Sequence, residues 1–356
     1  IYNLTLAPIG EGKYRLGSHR RSLVITTPLQ KNILTTLAKG FNPYDHLALE
    51  LHSEIETFLN ILYYQGFIAT EDTPLYIPDR YLAKVGEDDA SASQLRERVE
   101  PELASLSWFD HRGDNGVSTL TARQNYGIEL SGRSRVITLI HSILITSGVT
   151  HLTFTDNDEK SLITNHDIGT STFTARDLGS NFYKEIERKR RDIALFPTSR
   201  SPERGLGKGG APHHSVLTIH DGPVDPELLA DWMTTDRAHL VIHPSDGDSI
   251  TVGPFIYPRK TPCLRCYELN QQEQSGFMPS QTIALNPVKE FSMAMAHYIA
   301  GYVAALALDW VDMQSDSIDR KRDILEGSYY RLSIHKRNQP QVVTIARHPL
   351  CGCLDI

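Results

Sequence analysis

The 356-residue sequence is short of every feature that would set it apart from ordinary globular chains. It has only 4 cysteines, too few to frame a disulfide-held secreted scaffold. No uninterrupted apolar run approaches the roughly 18 residues needed to span a bilayer, so no membrane helix is expected. Ile1 to Gly10 lacks the basic start and continuous apolar stretch of a secretory signal. A basic excess is also missing. The chain carries 36 Lys and Arg against 43 Asp and Glu, a net charge of −7, which argues against a nucleic-acid binder held by phosphate contacts. Hydrophobic residues make up 40% and charged residues 22%, and at about 150 residues per domain the length implies two or three domains. A cytoplasmic, multidomain protein is the expectation.

What is there divides into three stretches, expected at 1–75, 76–123 and 124–356. In the first, β-like runs at Leu4 to Ile9, Lys13 to Leu16 and Ser22 to Thr26 precede two helices. Thr27 and Pro28 read as the N-cap and first residue of one helix, Leu29, Ile33, Leu34 and Leu37 as its apolar stripe, and Gly40 as its end. Ser53 to Glu56 reads as a capping box opening a second helix, with Ile55, Phe58, Leu59 and Leu62 on one face. Phe67 to Ala69 reads as a returning strand. This order suggests a winged helix-turn-helix. The connector holds one charged helix near 89–106. From Gly127 the pattern alternates strand and helix, the mark of a parallel α/β sheet. Its strands fall near 128–130, 151–155, 215–219 and 239–243, and its helices near 136–147 and 226–234. A helix over 289–307, apolar nearly all round, is expected to be buried.

All four cysteines fall into close pairs, Cys263-x-x-Cys266 and Cys351-x-Cys353. Four thiolates suit tetrahedral zinc, and with no open ligand position such a site staples the chain instead of doing chemistry. Two local disulfides or a redox pair are the alternatives; a cytosolic setting favours zinc. The 15 histidines show no ligand spacing of their own. The glycines at 205, 207, 209 and 210 follow no clear strand and do not read as a phosphate loop.

Ser131-Gly132, the Asp156-Asn157-Asp158 strand end, Val252-Gly253-Pro254-Phe255-Ile256, Cys263-x-x-Cys266 and His348-Pro349-x-Cys351-Gly352-Cys353 together resemble the ThiF/MoeB superfamily of adenylating enzymes. The resemblance is closer to one branch, the ThiF-like partner proteins of YcaO cyclodehydratases, which help make azol(in)e rings in ribosomal peptide natural products. It covers essentially the whole chain. It implies an N-terminal winged-helix module that recognises a precursor peptide, a Rossmann-type parallel-sheet domain with structural zinc, a YcaO protein as partner, and a homodimer. By the same resemblance, a leader peptide would add as a strand to the edge Ser22, Leu23, Val24, Ile25 and Thr26. The helix carrying Phe58 and Leu62 would floor the groove, and Arg20, Arg21 and Lys31 would meet the peptide's acidic side chains. DNA is a poor alternative for this module, because Ile1 to Arg80 holds seven Lys/Arg against eight Asp/Glu.

The departures from the superfamily matter equally. A nucleotide needs a Gly-rich turn where backbone N–H groups and a helix N-terminus approach its phosphates. Here the turn is Ser131-Gly132-Arg133-Ser134-Arg135, with one glycine and two arginines. Gly132, Asp156 (toward a ribose) and Asp246 (toward magnesium) therefore read as a vestigial nucleotide site, and ATP is not expected. The expected function is a non-catalytic, leader-binding component that presents a precursor to an ATP-using YcaO partner. The alternative is an ATP-dependent adenylyltransferase acting on a peptide carboxylate.

Overall fold

The computed structural model describes residues 5–17, 22–68, 89–107, 116–155, 158, 160–169, 172–196, 216–243, 249–276, 290–314, 327–333 and 339–353. The chain forms two compact units, Ile1–Thr121 and Ala122–Ile356.

In the first unit, β1 (Leu6–Gly10), β2 (Lys13–Gly17) and β3 (Ser22–Ile25) form an antiparallel sheet in that order. Leu16 and Ile25 point into the core while Val24, one residue from Ile25, stays exposed, as strand alternation requires. Helix α1 (Pro28–Ala38) starts where expected: Thr27 accepts the Gln30 N–H, and the Gln30 side chain accepts the Thr27 N–H in return. After α2 (Pro43–His46), α3 (His52–Tyr64) packs Ile55, Phe58 and Leu62 into the same core. The Ser53 capping box does not form, because a 3-10 turn at Leu49–Leu51 runs straight into α3 and leaves Ser53 inside the helix. Phe67 and Ile68 form no strand; the Phe67 N–H returns to the Leu62 carbonyl and its ring joins the core. Helices α4 (Asp89–Ser107) and α5 (Val117–Ala122) follow.

The second unit is built on a seven-stranded sheet of order β10-β9-β8-β7-β6-β4-β5. Strands β4 (Gly127–Ser131), β5 (His151–Phe154), β6 (Val216–Asp221) and β7 (Ala238–Ile242) are parallel. Strands β8 (Ser249–Ile256), β9 (Ser328–Ser333) and β10 (Gln341–Thr344) extend the sheet antiparallel. Helices α6 (Arg135–Thr146), α7 (Phe182–Ile193) and α8 (Pro226–Thr234) link the parallel strands; α9 (Leu264–Ser275) follows β8, and α10 (Met293–Gln314) precedes β9. The chain steps from β4 outward to β5, then returns to lay β6 on the other side of β4. That reversal is a topological switch point, the place where open α/β sheets leave a crevice.

By length and composition α10 is long and apolar enough to cross a membrane. Its buried residues, among them Ile299, Val303, Ala307 and Trp310, instead share one core with α6 and the sheet. The helix expected at 289–307 is thus displaced, running from Met293 to Gln314. A buried bidentate pair, Arg123 Nε to Asp312 Oδ1 at 2.7 Å and Nη2 to Oδ2 at 2.9 Å, fastens the entry to β4 onto the end of α10. Removing one partner of such a pair leaves an uncompensated buried charge and costs about 3–5 kcal/mol.

Three buried histidines make the second unit sensitive to acid. Burial, helped by the Arg190 charge, lowers His141 to about 3; burial also lowers His239 and His243 to about 4, against hydrogen bonds to the Arg237 and Gly253 carbonyls. The unfolded chain takes up these protons below about pH 6.5 and the folded chain does not, so stability falls as pH drops through that value. Each contributes on the order of 1–2 kcal/mol of loss by pH 5. Burial raises Glu290 to about 7, which has the opposite sign and offsets part of the loss between pH 7 and 4.5. The melting temperature should therefore fall between pH 7.5 and pH 5, and less steeply in His141→Leu. A melting temperature flat across that range would contradict this assignment.

Candidate functional site

The crevice expected at this switch point would lie at the C-terminal ends of β4 and β6. Gly132, directly after β4, has φ +103, and a Cβ there would lie 2.6 Å from the Asp221 carbonyl oxygen. The lone glycine of the turn is thus the residue that lets β4 close on β6. Ser134 caps α6: its Oγ accepts the Ile137 N–H at 3.1 Å and donates to the Asp221 carboxylate. His220 is held on both sides, with Ser131 Oγ 2.9 Å from Nδ1 and the Pro223 carbonyl 3.0 Å from Nε2. Burial raises the Asp221 carboxyl, opposed by the Ser134 hydrogen bond.

A second carboxyl enters from the segment before α10. Glu290 Oε2 accepts the Arg135 backbone N–H, the first of α6, at 3.1 Å. Burial pushes Glu290 up to about 7; the Arg135 N–H bond opposes this, and the charges of Asp167 and Asp221 add to it. The two arginines of the turn grip neighbouring backbone. Arg133 pairs with Asp167 at 2.7 Å and donates to the Leu162 carbonyl, while Arg135 donates to the carbonyls of His166, Ile168 and Phe291. Chemically, the crevice offers a helix N-terminus suited to an anion and a carboxylate, Asp221, suited to a cation accompanying it.

Of the expected nucleotide residues, Gly132 stands at this switch point; Asp156 and Asp246 lie outside the described residues. Asp221, Ser134 and Glu290 were not singled out from sequence. The His220-Asp221-Gly222 end of a buried strand was the available signal for Asp221; nothing local marks Glu290.

In the N-terminal unit, β3 pairs only with β2 among the described residues. Ser22, Val24 and Thr26 are exposed and Leu23 is half-buried. Ile25, Phe58 and Leu62 depart from the expected groove: at 1%, 3% and 0% exposure they are core, with no surface to present to a peptide. Lys31 donates to the Tyr14 hydroxyl at 2.8 Å and lies over its ring. Arg20 and Arg21 lie outside the described residues.

The cysteines converge. Cys263 is the N-cap of α9, Cys266 sits in its first turn, and Cys351 and Cys353 approach from the segment after β10. All four sulfurs lie within 4.8 Å of one another, with Cys263–Cys351 at 3.5 Å, Cys266–Cys353 at 3.6 Å and Cys263–Cys266 at 3.9 Å. Zinc–sulfur bonds of about 2.3 Å in a tetrahedron put sulfurs about 3.8 Å apart, so the cluster fits one four-coordinate ion. Burial raises the Cys263 thiol and takes Cys351 up to about 11; Cys266 is lowered despite its burial, chiefly by the His348 N–H donated to its sulfur at 3.4 Å. Gly327 (φ +71) lets the start of β9 lie against this corner, since a Cβ there would meet Pro262 at 2.6 Å.

No family model and no curated protein matches the sequence. Solved structures do match, over nearly the whole chain. E. coli MccB with ATP superposes with a TM-score of 0.58 at 13% identity, covering 99% of this chain and 98% of that one. MccB described as a microcin C7 biosynthetic enzyme, in complex with N-formylated MccA, gives 0.55 at 15% identity, with 99% and 97% covered. PaaA gives 0.63 at 13% identity, with 96% and 98% covered. Identities this low establish architecture alone: the mixed α/β unit shares the fold of MccB and PaaA.

Proposed function

We propose that this chain binds a ribosomally made precursor peptide and adenylates a carboxylate of it, transferring AMP from ATP and releasing pyrophosphate. The observation that carries the reading is the full-length likeness to MccB, a microcin C7 biosynthetic enzyme with solved structures containing ATP or MccA. The switch-point crevice supports it. Phosphate would be received at the α6 N-terminus behind Gly132, Asp221 would hold the accompanying metal, and Ser134 and His220 would position Asp221 and the end of β4. ATP use, not expected from a turn with one glycine, is thereby the better supported reading.

A second reading keeps the expected role as a silent, leader-binding presenter for a YcaO cyclodehydratase. It is favoured by one observation, the Glu290 carboxylate already seated on the Arg135 N–H. In both readings the peptide adds as a strand to the outer edge of β3, and the four cysteines hold structural zinc, kept reduced in a cytoplasmic setting. Pairing into a homodimer belongs to the same proposal.

The purified chain, given ATP, magnesium and a leader-bearing precursor peptide that it binds, should release pyrophosphate at least tenfold faster than without peptide. No release, together with faster ATP use by a YcaO partner, would transfer the account to the second reading. Val24→Glu should weaken peptide binding about tenfold or more by fluorescence anisotropy at an unchanged melting temperature; an unchanged affinity would remove the β3 edge as the site. Elemental analysis should find one zinc per chain, and Cys266→Ser should lose it and melt lower. A metal-free wild-type chain of full stability would overturn the zinc assignment.

A further inference from the structure

The α6 N-terminus is where a phosphate would be received, and an acidic side chain of the protein already stands there. Ser134 satisfies the Ile137 N–H and Glu290 satisfies the Arg135 N–H, two of the donors that a helix start leaves open. The contact is reinforced by the next residue, because the Phe291 carbonyl accepts from the Arg135 guanidinium at 3.0 Å. The main-chain N–H and the side chain of one arginine thus latch residues 290 and 291 together.

We infer that Glu290 is an internal stand-in for an anionic ligand, an autoinhibitory contact that must leave the Arg135 N–H before a nucleotide phosphate can be taken up. The inference rests on reading this crevice as a nucleotide site. The seat is electrostatically conflicted. Glu290 is half-buried, and the charges acting on it are Arg135 of α6, Asp167 of the loop after β5, itself paired with Arg133, and Asp221 at the end of β6. Two of these three are acids. A carboxylate held against like charges by one hydrogen bond and one latch is poised to be displaced, by a phosphate bringing its own metal ion or by protonation. With Glu290 protonated, one negative charge fewer opposes the incoming phosphate.

The test is calorimetric titration of magnesium–ATP into the full-length wild type, Glu290→Gln and Glu290→Ala, at pH 8 and pH 6, with melting curves to verify folding. Both variants should bind at least tenfold more tightly than wild type at pH 8, and the ratio should shrink at pH 6. The titration of ATP itself cancels in that ratio. Equal or weaker binding by both variants overturns the inference, and weaker binding would mark Glu290 as a helper of the nucleotide instead of its competitor. Binding by the variants alone, with none by wild type, upholds the inference and sinks adenylation by the unmodified chain. Wild-type binding with pyrophosphate release and no gain in the variants does the reverse, and binding by none of the three sinks both.

Discussion

The second unit is organised by one close approach, the backbone of Gly132 against the Asp221 carbonyl. A methyl group at residue 132 would stand 2.6 Å from that oxygen, so only glycine brings the end of β4 this near to β6. The contact does three things together. It closes the parallel pair at the point where strand order reverses, it aims the start of α6 into the gap, and it carries the Asp221 carboxylate alongside. Ser134 then joins helix and strand by capping one and donating to the other.

On the proposed adenylating reading, the turn is a reduced phosphate loop more than a broken one. Its single glycine stands where the backbone meets the Asp221 carbonyl, and the side chains of the two arginines are engaged with neighbouring loops. They reach outward to loop carbonyls at 162, 166, 168 and 291 and order the walls. The anion-seeking end of α6 is intact, and the side chain that answers it is the protein's own. On that reading, the balance between Glu290 and phosphate would decide whether the site works as a catalyst or as a docking platform. That is a matter of a few kilocalories, not of fold.

Much of this was legible along the chain where local chemistry decides. Thr27, Pro28 and Gly40 mark the ends of α1, residues 127–154 alternate strand and helix, and two cysteine pairs announce a four-sulfur cluster. Where tertiary context decides, local reading failed. The Ser53 box is overrun by a 3-10 turn, and Phe67 is drawn into the core instead of a strand. Strands β8 and β9 went unread because burial on both faces leaves little alternation to see, and β10 because it is only 4 residues long. Asp221 went unread, since nothing in a single strand tells which neighbour it will pair with; β6 lies beside β4. Glu290 could not have been found at all, being 155 residues from the N–H it meets.

The most direct measurement is a crystal structure of the chain grown with a non-hydrolysable ATP analogue and magnesium. The account predicts phosphate oxygens on the α6 N–H groups behind Gly132, a metal ion on Asp221, and Glu290 swung away from Arg135. An analogue absent at saturating concentration, or bound elsewhere with Glu290 still on the Arg135 N–H, would contradict it.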